Sequence, residues 1–300
     1  LRRLDSTLSE STHQSLPLKM SPVSFISWMG GDRDGNPNVT SNVTAEVLLL
    51  SRWQAATLYM RDINSLIEEL SMINSNSYVK ELSNSSREPY RAVLRDVRLQ
   101  LKNTIDNIEN QLDGREPIYT NVINNQKDLW DPIFACYESL QDCGMQAIAD
   151  GSIIDLLRCI SCFGTHLVRH DIRQHSERHS RVLEEICSHL DLGDYSNWSE
   201  DKKQKFLLEE IVGNRPLIGS DLVLTSESLE VVKTFELIAK QPQEALGAYV
   251  ISMAKRPSDI LVVQLLLKEM GCKGHLPVVP LFETLDDLNN ANGAIEILLK

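Results

Sequence analysis

Residues 248–258 read Ala-Tyr-Val-Ile-Ser-Met-Ala-Lys-Arg-Pro-Ser, an apolar run that closes on charge and a proline. Ala248–Met253 has strand character. Ser258, after Pro257, is the expected N-cap of a helix over 259–270, and Gly271 stands just past its end. The same unit recurs three times. Val23–Met29 is followed by Gly-Gly-Asp-Arg-Asp-Gly, His166–Ile172 by Arg-Gln-His-Ser-Glu-Arg-His, and Leu276–Phe282 by Glu-Thr-Leu-Asp-Asp. Repeated strand, polar end and helix predict a parallel sheet or a (β/α) barrel, whose active groups stand at the C-terminal ends of the strands. Four strands make half a barrel, heavily inserted with helices.

Helices dominate the remainder, so the fold class is predominantly α-helical α/β. Thr44 reads as the N-cap of a helix running through Leu70, about 40 Å long at 1.5 Å per residue. A polar Ser/Asn-rich connection follows around 71–87. Pro89 opens a second long helix. Its apolar stripe is Tyr90, Val93, Leu94, Val97, Leu101, Ile105, Ile108 and Leu112, and Asp113-Gly114 ends it. Further helices are expected near 131–149, 152–161, 176–190, 200–212 and 227–240.

The chain has 300 residues, 42% hydrophobic and 24% charged, which is a globular composition. A net charge of −12 excludes a general binder of nucleic acid or anionic membranes. It leaves room for an anionic substrate held by a few arginines. Six cysteines are too sparse for a disulfide framework. No apolar run approaches the roughly 20 residues of a membrane span, and a reduced, cytoplasmic setting is expected. The chain starts at Leu1 in a polar stretch and stops at Leu298-Leu299-Lys300 within an amphipathic pattern. It is therefore expected to be an internal segment of a longer protein.

The sharpest stretch is Trp28-Met29-Gly30-Gly31-Asp32-Arg33-Asp34-Gly35-Asn36-Pro37-Asn38-Val39-Thr40. Three glycines permit close backbone approach, and Asp32-Arg33-Asp34 is a locally balanced charge cluster. It fits neither dinucleotide- nor nucleotide-binding glycine spacing, and on composition it reads equally as a charged tight turn. Arg169, Asp171 and Arg173 alternate, so a strand would put all three on one face, as a functional cluster or as an ion-pair ladder. Cys159 and Cys162 form a lone CxxC, which makes zinc improbable and favours buried helix-end thiols. His166, His170, His175 and His179 carry no metal motif and read as surface residues.

The Trp28–Thr40 string resembles the signature segment of bacterial and plant phosphoenolpyruvate carboxylases. Further stretches resemble that family in the same order: Phe163-Gly164 through Leu167–Gln174, then Tyr249–Lys255, then Pro280–Leu288. The resemblance runs over essentially all 300 residues. It implies an internal portion of one catalytic domain, part of a (β/α)8 TIM-type barrel, with about half the barrel strands and helical insertions near 41–161 and 176–246. It implies a Mg²⁺-dependent enzyme, with Mn²⁺ as a substitute, that joins bicarbonate to phosphoenolpyruvate to give oxaloacetate and phosphate. A homotetramer is implied for the full-length protein.

The resemblance also assigns roles. Arg173 corresponds to a catalytic residue that binds substrate anions, with Arg169 a second candidate. Trp28 and Leu281 match an apolar wall that would keep water from a reactive enolate and carboxyphosphate. Glu283 matches a metal ligand, although the residue alone reads equally as a helix N-terminal charge. The family's catalytic His, second metal ligand and mobile loop have no counterpart here, so the segment is expected to be inactive alone. His175 stands where the family pattern leads one to expect Glu. A different barrel enzyme acting on phosphoenolpyruvate or a keto acid, and a helical scaffold without chemistry, are the competing readings.

Overall fold

The four apolar runs come together in one parallel sheet. The computed structural model describes residues 1–219, 221–272 and 274–298. It places β1 (Ile26–Ser27), β2 (Arg169–His175), β3 (Leu246–Ser252) and β4 (Val278–Pro280) side by side in sequence order, every pair parallel. Parallel neighbours cannot be joined by a tight turn, so each strand reaches the next through helices. The strand ends differ from the expected runs. β1 keeps only two residues, and β2 starts at Arg169 because residues 166–168 are spent in a turn. There Leu167 has φ 58° and Val168 N–H donates to the His166 carbonyl.

The helices are α1 (Arg2–Thr12), α2 (Ser41–Glu69), α3 (Ser77–Leu82), α4 (Pro89–Leu112), α5 (Gln126–Asp142), α6 (Gln146–Ile148), α7 (Ile154–Phe163), α8 (Ser176–His189), α9 (Glu200–Val212), α10 (Ser226–Lys240), α11 (Pro257–Glu269) and α12 (Leu285–Leu298). Two of these, α1 and α3, went unread in polar sequence. α3 forms because Asn76 caps it, its side chain accepting from Val79 N–H. Two expected caps are corrected. α2 starts at Ser41, so Thr44 lies inside the helix. α11 starts at Pro257, and Ser258 donates both its N–H and its hydroxyl to Glu200 of α9, at 3.0 and 2.8 Å. Ser258 is thus a docking point between two helices.

The chain divides into two compact units. The first comprises Leu1–Phe25 and Leu48–Val168 and is helical. The stripe of α4 is buried at Tyr90, Val93, Leu94, Val97, Leu101 and Ile108, in one core with Leu129, Ile133 and Leu140 of α5 and Leu156, Leu157 and Ile160 of α7. Burying each such side chain is worth about 1.5–3 kcal/mol. Phe25 stacks on Phe163 with ring centroids 5.8 Å apart.

The second unit comprises Ile26–Val47 and Arg169–Lys300 and holds the sheet. Tyr249 and Ile251 of β3 are buried, and Phe235 of α10 stacks on Tyr249 at 5.0 Å. His179 of α8 packs against both rings and is hydrogen-bonded through Nε2 to the Tyr249 hydroxyl at 2.7 Å. Among the described residues, no helix is long and apolar enough to cross a membrane.

Burial drives the His179 pKa down to about 3. The unfolded chain takes up this proton near pH 6.5, whereas the folded chain refuses it until about pH 3. Stability from neutral His179 is therefore complete above pH 6.5 and is lost as pH falls from there towards 3, by about 1.4 kcal/mol per unit. Urea unfolding at pH 7, 6 and 5 should show a shallower loss of stability with acid in His179→Gln than in the unmodified protein. Parallel curves would remove His179 as a cause.

Candidate functional site

The Gly-rich turn closes against β2 by backbone bonds. Gly31 and Asp32 N–H groups both donate to the Trp28 carbonyl, forming the turn. Arg173 N–H then donates to Gly31 at 2.8 Å and Arg33 N–H to the Arg173 carbonyl at 3.1 Å, a short parallel bridge beyond the end of β1. A Cβ on Gly31 would stand 2.1 Å from the Asp171 carbonyl oxygen, so the approach requires glycine.

Arg33 turns inward and is buried. Its Nη1 donates to the Gly31 carbonyl at 2.9 Å and its Nη2 to the Thr44 hydroxyl at 2.6 Å. Thr44 in turn contacts the Gly30 and Thr40 carbonyls at 2.6 and 3.1 Å. Burial lowers the Arg33 pKa, partly offset by Tyr249, Glu230 and Asp32. A guanidinium keeps its proton all the same. Asp34 and Gly35 face outward, while the Asp32 carboxylate accepts Asp34 N–H at 3.1 Å. The motif is thus a turn braced from inside by Arg33 and Thr44, and it fixes the backbone of Arg173.

Arg173, half-buried near the C-terminal end of β2, lays its guanidinium over the Trp28 ring with Cζ 4.5 Å from the centroid. Its Nε is buried and has no hydrogen-bond partner among the described residues. Asp171 lies 3.8 Å from Arg173 Nη2, and its Oδ1 accepts Ala248 N–H of β3 at 3.0 Å. The β2–β3 register shifts between His170 and Ile172, at Asp171. Arg169 is exposed and makes no ion pair among the described residues. Trp28 and Arg173 are brought together; Arg169 is not.

Leu281 and Glu283 follow β4 directly. Leu281 N–H donates to the Ile251 carbonyl at 2.9 Å, and Glu283 is exposed. Among the described residues, no group of three or more His, Cys, Asp or Glu is placed to hold a metal ion. A lone carboxylate at a strand end still fits Mg²⁺, which takes one or two protein carboxylates and leaves other positions to water and substrate. The histidines depart from the surface reading: His166, His170 and His179 are buried, and only His175 is partly exposed, where its side chain accepts Glu177 N–H and caps α8. Cys159 and Cys162 are partly exposed and unpaired, less buried than expected.

Sequence reasoning missed Thr44 as a brace and Gly247 as a notch beside Asp171, where a Cβ would lie 2.5 Å from Oδ1. An isolated glycine in a strand was the available signal for the second. The first had none, because a threonine early in a helix reads naturally as a cap.

A family model described as phosphoenolpyruvate carboxylase matches residues 1–300. Similar curated proteins carry the same name. The protein of Photorhabdus laumondii is 51% identical over 302 residues, that of Vibrio vulnificus 51% over 300, and that of Pectobacterium atrosepticum 52% over 303. Each alignment covers 100% of this chain and 34% of the relative, so the chain spans about a third of the length of the proteins it matches.

Removing the Thr44 hydroxyl would leave Arg33 Nη2 with only its longer contact to the Thr40 carbonyl, 3.4 Å away, at a cost of about 1–3 kcal/mol. Thr44→Val is expected to lower the melting temperature accordingly, and Thr44→Ser, which keeps the hydroxyl, should restore most of it. Equal stability of the two variants would show that the hydroxyl does not brace the turn.

Proposed function

The chain belongs to the phosphoenolpyruvate carboxylase family, and from that premise we propose that the whole protein carboxylates phosphoenolpyruvate with bicarbonate to give oxaloacetate and phosphate. The observation that carries the reading is Arg173. Its guanidinium is stacked on Trp28 near the C-terminal end of a parallel strand, with a buried N–H donor that has no acceptor among the described residues. A buried donor without a partner is costly, and an anionic substrate would satisfy it. The sequential strand order supports a (β/α)8 barrel, whose chemistry collects at that end.

In this reaction, phosphoryl transfer from phosphoenolpyruvate to bicarbonate gives carboxyphosphate and the enolate of pyruvate. Carboxyphosphate then yields phosphate and CO₂, and the enolate carbon bonds to the CO₂. Arg173 holds phosphate or bicarbonate oxygens through charge-assisted hydrogen bonds. Trp28 and Leu281, each next to a strand end, form an apolar wall that keeps water from the enolate. Glu283 would hold Mg²⁺, with Mn²⁺ as a substitute; when bound, the ion supplies Lewis-acid stabilisation of developing oxygen charge. Arg169, exposed as it stands, is a weaker anion-binding candidate. The six unpaired cysteines support a reducing, cytoplasmic setting. One catalytic domain assembled as a homotetramer completes the reading, on family membership alone.

The whole protein coupled to malate dehydrogenase should consume NADH only when phosphoenolpyruvate, bicarbonate and Mg²⁺ are all present. Glu283→Gln should lower kcat by about a hundredfold or more. A folded whole protein without a bicarbonate-dependent signal would overturn the carboxylase reading. An unaffected Glu283→Gln variant would overturn only the metal assignment.

A further inference from the structure

The Arg173 guanidinium lies over Trp28 with its buried Nε lacking a hydrogen-bond partner among the described residues. Its nearest carboxylate oxygen, Asp171 Oδ2, is 3.8 Å from Nη2, too far for a hydrogen bond but close enough for strong attraction in a partly buried site. Asp171 itself is fixed. Its Oδ1 accepts Ala248 N–H at 3.0 Å and fills the space that Gly247 leaves, where a Cβ would lie 2.5 Å away. The side chain of Asp171 is 12% exposed, against 27% for Arg173. The backbone carbonyl of Asp171 is closed off as well, by Gly31. The carboxylate is thus seated against Gly247, and the backbone of the same residue against Gly31, beside a guanidinium that rests on Trp28.

We propose that Asp171 is a positioning residue for Arg173: with Trp28 it forms a preformed cradle that sets the guanidinium while leaving its N–H groups unspent. A direct Asp–Arg salt bridge would consume two of those donors and compete with the incoming anion. Held at 3.8 Å, the carboxylate restrains the cation without taking a donor from it. Gly247 belongs to the same device, since any side chain there would push the carboxylate out of its seat. The functional part of this proposal rests on the reading of Arg173 as the anion-holding group of a carboxylase; the cradle does not.

The whole protein allows the two to be separated. Turnover by the unmodified protein tests the carboxylase reading alone. Asp171→Asn keeps the shape and the acceptor for Ala248 N–H while removing the charge. It should raise KM for phosphoenolpyruvate about tenfold or more, with kcat little changed and the melting temperature retained, because an interaction present in ground and transition states alike is lost. Gly247→Ala should shift KM in the same direction, and serves if Asp171→Asn does not fold. The cradle is read without turnover by titrating guanidinium ion into Arg173→Ala and following Trp28 emission. Saturable quenching is expected, and it should vanish in Arg173→Ala combined with Asp171→Asn or with Gly247→Ala. Unchanged KM in an active Asp171→Asn protein, or quenching indifferent to the Asp171 charge and to the Gly247 methyl, would overturn the proposal.

Discussion

Gly31 comes so close to β2 that a single added carbon would stand 2.1 Å from the carbonyl oxygen of Asp171. That approach permits the paired bonds between Gly31, Arg33 and the backbone of Arg173. Those bonds in turn carry Trp28, three residues back, to the place where its ring meets the Arg173 guanidinium. The sheet contributes only two residues at β1, too few to aim an indole by pairing alone. The site end of the sheet is therefore organised by a turn, and the turn by the absence of a side chain.

Such a turn has an internal cost. Its carbonyls point inward, away from solvent, and need donors. Arg33 supplies them and accepts its own burial in return, with Thr44 completing the set. A buried cation without a direct carboxylate partner would ordinarily be a poor bargain. Here it donates to the Gly31 carbonyl and reaches the Thr40 carbonyl, while Thr44 serves that of Gly30. An acidic residue in its place could not do this, because carbonyls require donors and a carboxylate has none.

All four strands were legible as apolar runs, because a buried parallel strand needs consecutive β-formers and little else. Their ends were not legible, because turns such as Leu167–Val168 use the same residue types. The α4 stripe was read correctly from its steps of three and four, whereas α3 was hidden in polar sequence that a single asparagine cap rescued. Trp28, Arg173, Leu281 and Glu283 could be named through the family resemblance. Asp171 was named only within an alternating cluster and Thr44 only as a cap, since their supporting contacts depend on cross-strand register and turn closure, which no local pattern encodes. The histidines misled for a related reason: their polarity suggested water, but His179 finds Tyr249 inside the sheet's helix layer.

The stacked pair Phe25 and Phe163 bears on how β1 and β2 find each other. These strands are neighbours, yet residues 28–168 intervene, and closing a loop of about 140 residues carries an entropy cost that grows with the logarithm of its length. Once the helical unit has folded, the two rings hold its ends within 5.8 Å, one residue from β1 and six from β2. The loop left to close is then a handful of residues, which removes roughly 2–3 kcal/mol of closure entropy. If the helical unit forms first, a pairing that is distant in sequence becomes a local one.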